Sequence, residues 1–283
     1  MKKKCLIYVV CYNHEKFILK TLNRIPKSLV NKYTIEILVA DDNSKDNTVR
    51  QAKQFNPGKF KFKIIYLKKN LGYGGNQKIG YFYSIKYNYD IVVLLHGDGQ
   101  YAPEYLPKLL KIYSLNKSCS AVFGSRMITS GSALKGGMPL YKFIGNKVLT
   151  FIQNKILSSN LSEFHSGYRS YKVEYLKKIH FELNSNDYNF DTQIIIQFIL
   201  SNFKIIEIPI PTFYGDEVSY VNGLKYASQI VFETIKAKLH KNKFINEKKF
   251  NLVKNLKQEN IKKKKYTQFK KLINSSRTYF YNK

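Results

Sequence analysis

An α/β fold, with a mostly parallel central sheet and helices on both faces, follows from three observations. Short apolar runs recur through the first half of the chain. Segments of helical spacing separate them, and each run ends in a polar loop. Runs that are apolar throughout belong to strands buried on both faces, and strand–helix alternation builds βαβ units.

The elements follow in order. CLIYVV (5–10) reads as a buried strand, and EKFILKTLNRIPKSL (15–29) has helical spacing up to Pro26. IEILVA (35–40) is a second strand, TVRQAKQF (48–55) a helix and FKIIYLK (62–68) a third strand. NLGYGGNQKIGYFYSIKY (70–87) is a glycine turn feeding a helix. IVVLL (91–95) is a fourth strand, and PEYLPKLLKIY (103–113) a helix with Pro103 near its start. AVFGS (121–125) reads as another strand. Residues 126–171 turn irregular around a helix, YKFIGNKVLTFIQNKIL. FDTQIIIQFIL (190–200) forms a buried helix. IIEIPIPTFYGDE (205–217) is a strand broken by Pro209 and Pro211, which suits a sheet edge.

In parallel sheets, ligands bind beyond the carboxyl ends of the strands. YNHE, DDNS, NLGYGG and HGDGQ each follow a strand there. DDNSKDNT places two adjacent carboxylates, Asp41 and Asp42, on that rim. They repel each other and need donors or cations to offset the repulsion, and an NH-bearing nucleobase is one such donor. Ser44 and Asp46 fit turn and helix-cap roles. NLGYGG resembles a phosphate cradle with Gly72 on the ligand side, but Gln77 stands where a dinucleotide fingerprint needs its third glycine. HGDGQ offers hard oxygen ligands at Asp98 and Gln100. Mg²⁺ or Mn²⁺ held there would complete its shell from water and a substrate diphosphate. His96, a softer donor, suits Mn²⁺ better.

The chain has 283 residues, 44% of them apolar, enough for a sizeable core. Its net charge is +29, and residues 236–283 hold sixteen Lys or Arg against two Glu. Such a tail favours polyanions, either nucleic acid or an anionic membrane. Three cysteines, Cys5, Cys11 and Cys119, without CxxC spacing argue against a disulfide framework or zinc site and fit a reducing compartment. No stretch reaches the ~18 apolar residues that span a bilayer. The expectation is a cytoplasmic protein, soluble or peripheral on the inner face of the membrane.

YNHE, VADDNSKDNT, NLGYGGNQKIGY, LLHGDGQY, FGSRM and HSGYRSY, in this order, resemble an inverting family 2 glycosyltransferase of GT-A fold. The branch is that of dolichyl-phosphate mannose synthase and other polyprenyl-phosphate glycosyltransferases, and the resemblance runs from about residue 5 to 225. It implies that Tyr12, Asn13 and Glu15, with Asp42 and Asp41, hold the donor nucleotide. It makes Asp98 and Gln100 the metal site, with His96 where the first acid of the family's DxD usually stands. His96 then contacts the donor ribose or tunes metal choice. Arg126 of GSR would meet the donor diphosphate, and Ser166, Gly167 and Arg169 would lie on the acceptor side. Cys11 replaces the usual Pro before YN, and the C-terminal transmembrane helices of many members are missing.

The implied reaction moves a sugar from a nucleoside diphosphate donor to a polyprenyl phosphate or a glycan hydroxyl, with inversion, in cell-surface polysaccharide or glycoconjugate synthesis. A hydroxyl acceptor needs a general base. Asp191 is the first candidate and helix capping its other reading; Glu163 and Asp187 come next. A polyprenyl phosphate is already an anion and needs none. Ser166 and Arg169 would grip it. Residues 1–235 are expected to form the transferase domain and 236–283 a Lys-rich tail. In that tail Phe250, Val253, Leu256, Ile261, Phe269 and Leu272 would face an anionic bilayer among Lys262 to Lys265. The alternative is a basic nucleic-acid- or membrane-binding protein with an impaired GT-A domain. No specific nucleic acid is expected, because Asp41, Asp42 and Asp98 would repel phosphates.

Overall fold

In the computed structural model, residues 2–215, 222–253, 265, 267–271 and 279–282 are described. The expected strands form at Lys3–Cys11 (β1), Tyr33–Asp41 (β2), Lys61–Tyr66 (β3), Ile91–His96 (β4), Ala121–Ser125 (β5) and Ile205–Pro209 (β7). A further strand, Arg169–Lys172 (β6), lies in the stretch expected to be irregular, and Tyr279–Asn282 (β8) closes the far edge. The sheet order is β7-β5-β6-β4-β1-β2-β3-β8. The centre, β4-β1-β2-β3, is parallel, while β6 runs antiparallel to both β4 and β5. The proline-broken strand β7 is an edge strand, as its missing N–H groups require.

Both faces of the sheet are buried, which explains the unbroken apolar runs. Along β1, Leu6, Tyr8 and Val10 enter one core cluster, and Cys5, Ile7 and Val9 the other. The first cluster packs beneath Tyr73–Lys86 (α3) and Phe190–Leu200 (α8). The second packs beneath Ile18–Asn23 (α1), Thr48–Lys53 (α2) and Leu106–Leu115 (α4). Helix α3 comes unusually close to the sheet. A Cβ on Gly80 would sit 2.4 Å from the Tyr8 ring, so only glycine permits this approach. Tyr8 then donates from its hydroxyl to Asn76 Oδ1 at 2.6 Å, and Asn76 Nδ2 donates to the Ala40 carbonyl at 3.0 Å. Helix and strand ends are thereby tied together under the site. All three cysteines are free and buried.

The remaining helices are Ser132–Lys135 (α5), Leu140–Leu157 (α6), Val173–Leu176 (α7) and Gly223–Lys241 (α9). The expected division after residue 235 falls inside α9, which runs through it unbroken. Phe250 and Phe269 do not face outward. They lie in the core cluster, 4% and 3% exposed, because aromatic rings bury more area there than a bilayer surface would take. Lys265 is buried as well, bound to Glu182 at 2.5 Å and set over the Phe181 ring. Leu256, Ile261, Leu272 and Lys262 to Lys264 lie outside the described residues.

Candidate active site

The parallel register brings the strand ends to one rim: Cys11 lies opposite Asp41, and Val10 opposite His96. The first two loops are stitched to each other. Asn13, at φ 56°, donates its N–H to Ser44 Oγ and accepts from the Lys45 N–H through Oδ1, both at 2.8 Å. Glu15 donates its N–H to Asp46 Oδ2 at 3.0 Å and accepts from the Asn47 N–H at 2.8 Å. Tyr12 is half-buried at the start of the same loop. Asn13 and Glu15, expected to hold a nucleotide, are therefore also the residues that set the shape of the loop pair.

Asp41 and Asp42 divide the work. Asp41 is fully buried and accepts from both the N–H and the hydroxyl of Ser44, so it closes its own turn. Burial raises its pKa. Asp41, expected at the nucleotide, spends a hydrogen bond on each carboxylate oxygen in the turn that Ser44 builds. Asp42 accepts from the Leu71 N–H at 2.8 Å and so joins the second loop to the glycine turn. Burial pushes its carboxyl up to about 6. Gly72 caps α3 and donates its N–H to Asn70 Oδ1 at 2.8 Å.

HGDGQ leaves β4 on the same rim. Asp98 Oδ1 accepts from the Gln100 N–H at 2.9 Å, a tight Asx turn, while Oδ2 faces His96 Nδ1 at 3.9 Å. Burial alone would raise the Asp98 pKa. His96, His14 and the Gln100 N–H more than offset it and hold the carboxyl below its ordinary value. Asp98 is thus held as an anion beside His96. The side chains of His96 and Asp98 are each 15% exposed. Gln100 stands on the same turn.

Behind His96 lies a network that the sequence does not show. The Tyr73 hydroxyl sits 3.1 Å from His96 Nε2 and donates to Asp191 Oδ2 at 2.9 Å. Gln77 Nε2 donates to Asp191 Oδ1 at 2.9 Å, and the Arg169 guanidinium lies 3.3 Å from the same oxygen. Gly167 completes the enclosure: a Cβ there would meet His96 Nε2 at 2.5 Å. The Gly167 N–H donates to the Tyr101 hydroxyl at 2.7 Å. Asp191 is in the first turn of α8 and 6% exposed, and it makes no side-chain cap. Both of its oxygens are hydrogen-bonded, so it braces the glycine-turn helix.

Three expected ligand contacts are turned inward. Arg126 is 5% exposed and clasped by Glu163: Nε donates to Oε1 at 2.9 Å, the Arg126 N–H to Oε2 at 2.7 Å, and a second guanidinium nitrogen again to Oε1. Asn146 Nδ2 also donates to Glu163, at 2.8 Å. Arg169 is 1% exposed, stacked over Phe123, and donates to the carbonyls of Phe164 and Asp191. Ser166 is buried, with Oγ accepting from the Tyr168 N–H. A buried guanidinium requires a carboxylate, and Glu163 and Asp191 were the nearest to supply one. Arg126, Ser166 and Arg169 therefore make intramolecular contacts that shape the loop between β5 and β6. The signal that could have shown this is the acid placed three residues before SGYR, Glu163.

Among the described residues no group of three or more His, Cys, Asp or Glu side chains could hold a metal ion. The fit that remains is the one Mg²⁺-type ions use, with a single protein carboxylate, Asp98, and the rest from substrate phosphates and water. Asp98 Oδ2, 3.9 Å from His96 Nδ1 and 15% exposed as a side chain, would suit that role.

An open parallel sheet with an acidic rim of this layout is the GT-A fold of nucleotide-sugar transferases. The chain belongs to glycosyl transferase family 2, whose model matches residues 6–180, and it is a glycosyltransferase. It is 31% identical to UDP-N-acetylglucosamine–dolichyl-phosphate N-acetylglucosaminyltransferase of Methanococcus voltae, over 75% of this chain and 87% of that protein. It is 24% identical to undecaprenyl-phosphate mannosyltransferase of Micrococcus luteus, over 73% of this chain and 82% of that one. In fold it is similar to glucosyl-3-phosphoglycerate synthase of Mycobacterium tuberculosis, solved with Mn²⁺ and UDP, at TM-score 0.58 and 13% identity over 83% of this chain and 80% of that one. Among the described residues no helix is long and apolar enough to cross a membrane.

Proposed function

We propose that this glycosyltransferase moves a sugar from a nucleoside diphosphate donor to a polyprenyl phosphate, with inversion, in cell-surface glycoconjugate synthesis on the cytoplasmic side. The observation that carries the choice of acceptor is the state of Asp191. A hydroxyl acceptor needs a base within reach of the cleft. Asp191 has both oxygens engaged, Glu163 is locked to Arg126, and the exposed Asp187 accepts from the Tyr188 N–H. A phosphate monoester is already a nucleophile and needs no proton removed. The two relatives named above, whose acceptors by name are dolichyl and undecaprenyl phosphate, support the same reading.

On this reading Asp42, with Tyr12, Asn13 and Glu15, forms the donor end of the cleft, and Gly72 borders it. Asp98 and the Gln100 carbonyl would hold Mg²⁺ or Mn²⁺, and that cation would neutralise charge on the diphosphate. Asp98 holds its charge at neutral pH, so it can accept a cation without losing a proton first. His96 is fixed by Tyr73 and Gly167 beside Asp98, which keeps its ring at the cleft wall and orients the Asp98 turn.

The test is transfer itself. Radiolabelled UDP-, GDP- and dTDP-sugars are incubated with polyprenyl phosphate or with free glycans, and organic-phase label is counted. Label entering only the lipid phase supports the proposal. Label entering only glycans would replace the acceptor assignment with a hydroxyl.

A further inference from the structure

Helices α6 and α9 pack side by side, and α6 has its polarity reversed. Toward the protein, α6 turns Asn146, Thr150 and Gln153, with Leu157 the one apolar residue among its buried positions. Toward solvent it turns Tyr141, Ile144, Val148 and Phe151, a stripe at the three-and-four spacing of one helix face. Helix α9 buries Glu233 and Thr234 together with Ile230 and Ala237, while Phe232 and Ile235 are exposed. Tyr141 is 72% exposed, Phe151 62% and Phe232 61%. Singly exposed apolar side chains need no explanation, but a continuous stripe over two adjacent helices marks an interaction surface.

Charge selects the occupant. Helix α6 has three lysines and no acid. Helix α9 has four lysines, and its one acid, Glu233, is buried against Lys249 at 2.7 Å. Lys147 and Lys155 are exposed alongside the apolar stripe of α6. An apolar stripe bordered by lysines, with the nearby described carboxylates Glu233 and Glu247 each paired to a lysine, is the pattern of an interfacial helix on an anionic bilayer. The same helices abut the acceptor side of the cleft. Asn146 of α6 holds Glu163, and the Tyr226 hydroxyl of α9 lies 2.9 Å from His165 Nδ1.

We propose that the paired α6–α9 face docks this protein on the surface of an anionic lipid bilayer, with Tyr141, Ile144, Val148, Phe151, Phe232 and Ile235 entering the headgroup–acyl boundary. The surface is distinct from the Lys-rich segment beyond residue 241. It places the cleft's acceptor-side loop next to the lipid.

The experiment is co-sedimentation of the full chain with vesicles of phosphatidylcholine alone or mixed with phosphatidylglycerol. The vesicles contain no sugar acceptor, so the outcome is independent of the acceptor reading above. Wild type should sediment with the anionic vesicles and far less with neutral ones. The Ile144→Ser/Phe151→Ser/Phe232→Ser variant should partition about a hundredfold more weakly, three large side chains no longer entering the lipid. Because all three are exposed, its melting temperature should equal that of wild type. The pair Lys147→Glu/Lys155→Glu, which leaves the apolar stripe intact, should weaken binding to anionic vesicles only. Failure of wild type to bind, or undiminished binding by both variants, would overturn the proposal. So would a wild-type dimer in sedimentation velocity that the triple variant converts to monomer, since the face would then be covered by a second copy.

Discussion

Glu163→Ala is the most informative single perturbation of the site's frame. Glu163 is 2% exposed and accepts from the Arg126 backbone, from two nitrogens of its guanidinium and from Asn146 Nδ2. Burial raises its pKa, but Arg126 and its other donors outweigh that and hold it below the ordinary carboxylate value. Among the described residues, truncation removes the only carboxylate bonded to a guanidinium that is itself 5% exposed. Breaking a buried pair in this way costs about 3–5 kcal/mol, since the remaining charge has lost its partner. In a chain of this size each kcal/mol moves the melting temperature by about 2–4 °C, so a drop of roughly 6–20 °C is expected. Differential scanning calorimetry at pH 7 measures it. The double variant Arg126→Met/Glu163→Leu removes both charges and should recover most of the loss. A single variant that costs less than about 1 kcal/mol would show that the Tyr214 hydroxyl and the His165 carbonyl suffice to hold Arg126, and its dependence on Glu163 would fall.

The remaining predictions concern the rim and the closing segment. Asp42 has its folded pKa raised from 3.8 to about 6. It binds its proton more tightly folded than unfolded, so its contribution to stability falls as pH rises from about 4 to about 6. Asp42→Asn should therefore be more stable than wild type by about 2 kcal/mol at pH 8 and equal to it near pH 4, read by urea unfolding. The same variant should lose nucleotide-sugar affinity; unchanged affinity would remove Asp42 from the donor end. Gly167→Ala forces a methyl group to 2.5 Å from His96 Nε2 and should cost about 1–3 kcal/mol while displacing the His96 ring from Tyr73. An unchanged His96 imidazole resonance in NMR spectra would contradict this. Phe269→Ala should destabilise the whole domain by about 3–5 kcal/mol if the segment beyond α9 is part of the core. A loss below about 1 kcal/mol would return that segment to the status of an appended tail.

The central strands were legible because burial on both faces leaves no alternation to misread, and α8 ends where its apolar residues end. Strand β6 was not. RSYK carries two cations and a serine, and its place comes from antiparallel pairing with both β4 and β5. Arg169 is buried there only because Asp191, 22 residues later, meets it. The four rim loops were readable as polar stretches at strand ends. How each loop uses its hydrogen bonds was not. Asp41 and Asp42 look equivalent as letters, yet Ser44 consumes one and leaves the other to join the glycine turn. Likewise Gln77 reads as a missing glycine, and its function is to hold Asp191, 114 residues away. Contacts across that separation leave no local pattern in the chain.

HGDGQ, where the account concentrates its chemistry, admits the most direct test. Titrate the protein with UDP-, GDP- and dTDP-sugars by calorimetry, with Mn²⁺, with Mg²⁺ and with chelator, for wild type and Asp98→Ala. The account predicts that one nucleotide sugar binds in the presence of the cation and that binding weakens at least about tenfold without it. Asp98→Ala should bind as weakly as the chelated wild type and should no longer respond to the cation. Cation-dependent binding that survives intact in Asp98→Ala, or no binding of any nucleotide sugar under any condition, would contradict it.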